Sequence, residues 1–327
     1  MPSSPPKNVS ALSSRAKRGI CFCGILSWLL LPASIPAQNP PTRPRITGID
    51  HVRIDVSDSR KSSRFYESLI GIRAELPTSC LDASRPCFLV GWLRNQGIEL
   101  EKGPAIATKN RLAEIAFRTD EVAQLRRYPV SHGVTASTIS KDPHDKHALD
   151  AHFEVQDPEG NPISFIQRFA YPIDDPPPAA PWYGQSIHVG LIVHDRAAED
   201  RLYKDILDSH VYWHGGRKDD ETSWVDMQVP HGTDWIEYML NVPADADHHT
   251  IGVMNHIAVG VPDIHAAEEQ LPKNGWSGNE QPKIGCDGKW QLNLYDPDDT
   301  RVELMEFTPT RKPCCSAYTG PHPGQHP

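Results

Sequence analysis

Apolar and polar positions alternate in short runs that recur at intervals of about 65 residues, the mark of a repeated supersecondary unit. Four runs open these units: Ile49 to Val56, Leu112 to Phe117, Ile187 to Val193 and Asn255 to Val261. Each has the period of two expected of a strand with one face buried. An aspartate follows each run (Asp58, Asp120, Asp195 and Asp263), placed to cap an amphipathic helix. The first helix carries Phe65, Tyr66, Leu69 and Ile70 and is ended by Gly71; the third carries Leu202, Tyr203, Ile206 and Leu207 at the same spacing. Shorter strand candidates come next and close on similar phrases, at Gly97 to Leu100, Pro162 to Phe165, Trp235 to Tyr238 and Arg301 to Leu304. Each unit therefore reads strand, helix and three strands. Four units in two pairs predict two antiparallel-rich α+β domains.

Composition sets the boundaries. Tyr171 to Trp182 holds five prolines in twelve residues and can be neither a helix nor an inner strand, so 171–182 is read as a linker between domains at 38–170 and 183–310. A chain of 327 residues is also too long for one ordinary hydrophobic core. Residues 1–37 contain Lys7, Arg15, Lys17 and Arg18, no acid, and an apolar run from Gly19 to Leu31 that ends before Ala37. This pattern reads as a secretory signal peptide, the run being shorter than the roughly 20 residues that span a bilayer. An exported chain, periplasmic or extracellular, with no membrane span after cleavage is the expectation. The Pro-, Gly- and His-rich segment 311–327 reads as a disordered tail.

Lys and Arg number 33 against 42 Asp and Glu, a net charge of −9, which becomes −13 when the four basic residues of the leader are removed. No basic run could neutralise a row of phosphates, which excludes a nucleic-acid partner. Beyond the leader, Cys80, Cys87, Cys286, Cys314 and Cys315 remain, an odd number without metal-type spacing. Cys80 and Cys87 flank a short loop and are either bridged or free.

Candidate chemistry lies at matching positions of the repeats. The opening strands of units three and four present His188 and His256, and their closing strands present Glu237 and Glu303. Repeats related by a local twofold bring equivalent positions to one point, and two imidazoles with two carboxylates make a mixed N/O site for a divalent ion. The equivalent places of the first half hold His51, Glu99, Glu114 and Ser164. That half is read as having lost its ion, or as keeping a weaker three-ligand site.

Asp50, His51 and Val52 with Phe65 and Tyr66, Ile187, His188 and Val189 with Leu202 and Tyr203, Asn255 to Ile257 with Val261 to Asp263, and Asp296 to Leu304 together resemble the vicinal oxygen chelate superfamily. That group includes glyoxalase I, extradiol ring-cleaving dioxygenases and bleomycin-resistance proteins. The resemblance spans roughly residues 46–308. It implies βαβββ modules paired into cupped mixed sheets, and one divalent metal ion (Zn, Ni, Mn or Fe(II)) held by His188, Glu237, His256 and Glu303.

The glyoxalase I ligand pattern further implies a lyase or isomerase acting on a small vicinal-oxygen substrate through an enediolate, with Glu237 or Glu303 as the base. The two-domain length resembles instead the extradiol dioxygenases, whose Fe(II) would be held by His188, His256 and Glu303; Trp290 stands about where that pattern places a further histidine. A ligand-binding protein of the bleomycin-resistance kind is the third reading. Trp224 and Trp290 are read as comparable strand positions near the cup, and His210 and His249 as weak candidates for proton transfer at its rim. A monomer or homodimer acting on a small molecule is expected.

Overall fold

The four helices of the repeat are short and locally specified. Asp58 accepts from the amides of Arg60 and Lys61 at the start of helix 59–64, Asp195 from Ala198 at helix 196–200, and Asp263 from His265 and Ala266 at helix 264–270. Helix 122–131 differs: it begins at Glu121 rather than at Asp120, with no side-chain cap. The helices of units one and three both widen into a π-type turn, at Phe65–Leu69 and Arg201–Ile206, carrying the paired aromatic and aliphatic side chains that the repeat predicted.

The computed structural model describes residues 42–69, 73–75, 88–93, 96–103, 110–141, 150–168, 184–218 and 220–324. The leader 1–37, Cys80, Cys87 and the linker 171–182 lie outside them. No helix of the described residues is long and apolar enough to cross a membrane.

Eight strands form the first sheet: β1 (Ile46–Val56), β2 (Arg73–Glu75), β3 (Phe88–Leu93), β4 (Gln96–Lys102), β5 (Leu112–Thr119), β6 (Ser140–Lys141), β7 (Ala151–Gln156) and β8 (Pro162–Gln167). The second repeats it with β9 (Ser186–Ile192), β10 (His210–Gly215), β11 (Trp224–Gln228), β12 (Trp235–Met239), β13 (His256–Val261), β14 (Lys283–Ile284), β15 (Trp290–Tyr295) and β16 (Arg301–Glu306). The spatial orders are β2-β3-β4-β1-β5-β8-β7-β6 and β10-β11-β12-β9-β13-β16-β15-β14, the same path traced twice. In each, the two opening strands pair antiparallel at the centre, and each pairs in parallel with the closing strand of its own module. The result is four βαβββ modules in two cupped mixed sheets of an α+β fold.

Alternation along the central strands sorts side chains onto two faces. In the second half, Val189, Leu191, Ile257 and Val259 face the helices in the main core, while Ile187, Trp235, Ala258 and Met305 form a separate cluster. The two halves meet through reciprocal contacts. The turn at Asp157–Asn161 of the first half places the Glu159 carboxylate on the amides of His194 and Asp195, at 2.6 and 2.9 Å. The matching turn at Asp296–Thr300 places Asp298 on the Ser57 amide at 2.7 Å, and Tyr66 donates to Asp296 at 3.2 Å. Asp234 reaches across as well, accepting from the Ile49 amide at 2.8 Å and from Gln96 Nε2 at 3.1 Å.

The segment after Glu306 does not match its sequence reading. Residues 311–324, expected to be disordered, pack along β10 and the β14–β15 hairpin. Cys314 and Tyr318 lie against the cluster of Tyr212, Trp213 and Trp235. Trp213 Nε1 donates to the Cys314 carbonyl at 3.2 Å, the Thr319 amide to the Tyr212 carbonyl at 3.0 Å, and Tyr318 to the Asp287 carbonyl at 2.7 Å. Pro, Gly and His content suggested disorder; one aromatic anchor and a set of main-chain hydrogen bonds outweigh it.

Candidate metal centre

Four adjacent strands, in the order β12, β9, β13 and β16, each contribute one candidate ligand, and the register brings the four to one face of the sheet in two neighbouring rows. Glu237 stands opposite Gly190, Gly190 opposite His256, and Ala258 lies between His188 on one side and Glu303 on the other. His188 Nε2 and His256 Nε2 are 3.0 Å apart. Glu237 Oε2 lies 3.6 Å from His188 Nε2 and 3.2 Å from His256 Nε2; Glu303 Oε2 lies 3.6 and 3.5 Å from the same two nitrogens. His188, Glu237 and His256 each offer a ligand atom within 4.8 Å of the other two, and Glu303 approaches both histidines without joining that mutual group.

These distances fit a cation. Ligand atoms about 2.1 Å from one ion stand roughly 3.0 Å apart at right angles and 3.4 Å apart tetrahedrally, the range seen here. The tautomer of His256 fits too. Its Nδ1 lies 2.9 Å from the Met254 carbonyl, so an Nδ1–H donates there and Nε2 keeps a lone pair toward the other ligands. Arg301 Nη2 lies 2.7 Å from that Nε2, a contact that an ion at Nε2 displaces.

Electrostatics agree. Burial raises the cost of charge on Glu237 and Glu303, but the two imidazoles pull both below the ordinary carboxylate range, Glu303 furthest because Arg301 adds its charge. Burial holds His188 below the ordinary imidazole range against the pull of Glu303 and Glu237. For His256, burial and Arg301 oppose charge, yet the two carboxylates win and raise it. A proton on His256 thus competes with a metal ion for the same carboxylates.

His188, Glu237 and Glu303 line a cavity of about 260 Å³, walled by Trp213, Trp224, Trp235 and Asp226 and bounded on the β14–β15 side by Cys286 and Gln291, while His256 is buried outside its lining. Asp226 is buried opposite Glu237, and burial together with repulsion from Glu237 lifts its carboxyl well above the usual range. Behind Trp235 lies Lys289, fully buried, with Nζ 4.5 Å from the Trp235 ring centre and no hydrogen-bond partner among the described residues. Burial lowers this ammonium to about 8. Its sequence neighbours Gly288 and Trp290 gave no sign of such burial.

Other sequence readings shift. Asp226 pairs with Glu237 and Asn293 with Glu303, so Trp224 corresponds to Gln291, not to Trp290. A one-residue offset moves a side chain to the other face of a sheet. Trp290 accordingly packs on the helix-side core, edge-on to His265, while Trp224 lines the cavity. Neither His210 nor His249 lines the cavity: His210 begins β10, and His249 is exposed with Nδ1 3.8 Å from Asp299.

The first half holds a different arrangement at the same register. Arg53 occupies the place of Gly190, opposite both Glu99 and Glu114. Its guanidinium lies 3.3 Å from Glu99 and 2.6 Å from Glu114, and Ser164 donates to Glu114. His51 turns its Nδ1 to Asp50 at 2.9 Å, leaving Nε2 3.9 Å from Glu99. Gly190 is what allows the second arrangement, since a Cβ there would overlap the His256 ring. Strand parity in the sequence held this signal: the residue two past each opening histidine is Gly in one half and Arg in the other.

No curated protein sequence matches the chain. Residues 166–304 match the family model described as Glyoxalase/Bleomycin resistance protein/Dioxygenase superfamily. Among solved structures, a variant of homoprotocatechuate 2,3-dioxygenase from Brevibacterium fuscum is similar with a TM-score of 0.61 and 20% identity, over 83% of this chain and 74% of that one. The anaerobic substrate complex of the same enzyme, with 3,4-dihydroxyphenylacetate, aligns at a TM-score of 0.60 and 19% identity over 83% of each chain. The Arthrobacter globiformis enzyme aligns at 0.60 and 19%, over 81% of this chain and 80% of that one. Residues 166–304 thus match the Glyoxalase/Bleomycin resistance protein/Dioxygenase superfamily model, and the chain shares the paired-module fold of these dioxygenase structures.

Proposed function

We propose that the chain is a divalent-metal-dependent enzyme acting on a small substrate with two adjacent oxygens, its ion held in the second half by His188, Glu237, His256 and Glu303. The observation that carries this reading is the convergence of His188, Glu237 and His256, with Glu303 3.5–3.6 Å from both histidine nitrogens, beside a tryptophan-walled cavity that His188, Glu237 and Glu303 line. A bound ion supplies Lewis acidity toward the two substrate oxygens. Trp213, Trp224 and Trp235 offer flat apolar walls to a planar substrate, and the buried Asp226 carboxyl, held protonated, can donate a hydrogen bond to a substrate oxygen.

Ring cleavage of a catechol-type substrate with Fe(II) ranks first. Its support is the single-chain, four-module architecture shared with the homoprotocatechuate 2,3-dioxygenases over 81–83% of this chain. His188, His256 and Glu303 would then form a two-histidine, one-carboxylate face. One specific observation favours the glyoxalase-type lyase as the second reading. Glu237 Oε2, 3.2 Å from His256 Nε2, is placed to complete a four-ligand set and to move a proton between adjacent substrate carbons.

Loading the metal-free chain with Fe(II), Mn, Ni or Zn, then measuring oxygen uptake with 3,4-dihydroxyphenylacetate and loss of the methylglyoxal–thiol adduct, separates the two. Oxygen uptake with Fe(II) alone supports ring cleavage. Adduct loss with Ni or Zn supports the lyase. Absence of both with every metal contradicts the enzyme reading and leaves ligand binding. We also place the working enzyme outside the cytoplasm, on the strength of the leader at 1–37; sequencing the mature N-terminus from fractionated cells tests this, and a chain starting at Met1 in the cytosolic fraction opposes it.

A further inference from the structure

Three cysteines that play no part in the proposed metal chemistry meet at the mouth of the cavity. Cys286 is exposed, lies in the turn between β14 and β15, and forms part of the cavity wall. Cys314 comes from the tail and is half-buried against the tryptophan cluster; its amide donates to the Cys286 carbonyl at 2.8 Å, which sets the two residues side by side. Cys315 is exposed, with Sγ 2.8 Å from that of Cys314. The Cys314 thiol is pushed up to about 12 by burial and by its contacts with Cys315 and Cys286. One thiol is therefore crowded by two others.

The tail carrying Cys314 and Cys315 is tied down on both sides of them. Upstream, the Thr310 amide donates to the Gly288 carbonyl at 2.9 Å; downstream lie the Tyr318 and Thr319 contacts to Asp287 and Tyr212. Fixing Cys314 to Cys286 therefore fixes the stretch that packs on Trp213, one wall of the cavity, to the turn that carries Cys286 at its rim.

We propose that Cys286 and Cys314 are a modification site, forming a disulfide that staples the tail to the β14–β15 turn beside the cavity, with Cys315 as the neighbouring thiol through which the bridge is exchanged. The oxidant is a low-molecular-weight disulfide, RSSR. The exposed Cys286 attacks one sulfur and releases RSH, forming a mixed disulfide. Cys314 then attacks the Cys286 sulfur, its proton leaving with the second RSH. Two protein thiols and one RSSR become one protein disulfide and two RSH. Reopening begins with Cys315 or an external thiol attacking Cys314, the accessible course for a bridge at the surface.

Incubation of the full chain with oxidised glutathione, alkylation of remaining thiols and mass mapping of proteolytic peptides tests the site. The expected product is a linked pair of peptides carrying Cys286 and Cys314, retained in Cys315→Ser and absent in Cys286→Ser. Cleavage after Arg311 by trypsin should be roughly tenfold slower in the oxidised chain than in the reduced one, and this protection should vanish in Cys286→Ser. A Cys314–Cys315 link, glutathione adducts without a cross-link, or three free thiols would each overturn the proposal. The Cys80 and Cys87 peptides, mapped in the same digest, keep any pairing between those two from being mistaken for this one.

Discussion

The two halves of this chain share a strand path and a register, yet the same four positions hold two different solutions to one electrostatic problem. In each, acidic side chains converge on the concave face of a sheet and need a positive charge. In the first half the chain supplies it: Arg53 lies between Glu99 and Glu114, with Ser164 completing the cluster. In the second half glycine stands where Arg53 would be, the His256 ring occupies the space a Cβ there would take, and His188, Glu237 and His256 cluster with Glu303 beside them. Three differences at matching positions, Arg53 against Gly190, Glu114 against His256 and Ser164 against Glu303, separate a cluster neutralised from within from the cluster for which we propose an external cation.

The largest expected effect comes from importing the first solution into the second half. Gly190→Arg displaces the His256 ring and sets a guanidinium among the carboxylates. Changes to groups merely supporting a ligand cost about 10–100-fold in metal affinity, so this variant should lose at least that much by calorimetric titration. Wild-type affinity in Gly190→Arg would break the comparison.

The reverse change is smaller. Arg53→Ala leaves Glu99 and Glu114 facing each other without their guanidinium. Removing one partner of a buried pair costs about 3–5 kcal/mol; with Arg53 29% exposed, roughly 2 kcal/mol is expected in urea unfolding. Metal affinity of the second half should be unchanged. A loss of metal in Arg53→Ala would mean that the halves are not independent sites.

Asp234, which ties the second half to Ile49 and Gln96 of the first, gives the smallest effect. Burial raises its carboxyl to about 7, against the pull of the Ile49 amide and Arg118, whereas an unfolded aspartate titrates near about 4. Between those values the folded chain binds the extra proton, so stability falls as pH rises from about 4 to about 7 and is flat above. Glu199, raised to about 8, Asp287 to about 7 and Asp296 to about 6 add slopes of the same sign. Asp234→Asn keeps the acceptor and removes one such slope. The drop in Tm between pH 5 and pH 8 should shrink by roughly 2–5 °C relative to wild type; an unchanged drop would show that the contact between the halves does not titrate.

The repeat made much of this visible beforehand. His188, Glu237, His256 and Glu303 stand at matching places in the units, so their convergence followed from the period alone, as did the equivalence of Glu99, Glu114 and Ser164. The exchange of Gly190 for Arg53 is visible two residues past each opening histidine, but what those residues meet depends on cross-strand register, which a single sequence does not display. Trp290 was paired with Trp224 as an equivalent position, and a slip of one residue in β15 separates the two by inverting the pleat. The tail was misread because composition weighs prolines and glycines but not the hold that Tyr318 and Thr319 gain on β10. Lys289 could not be foreseen: its burial comes from Tyr212, Trp235 and Tyr318, which are distant in sequence.

The central claim is tested most directly by counting divalent metal per chain by mass spectrometry, after loading and desalting, in wild type and in His256→Ala, with circular dichroism to establish that both are folded. One ion per chain in wild type and none in the variant is the predicted result. Equal loading of the two proteins, whether one ion, two or none, would contradict the assignment of the site to the second half.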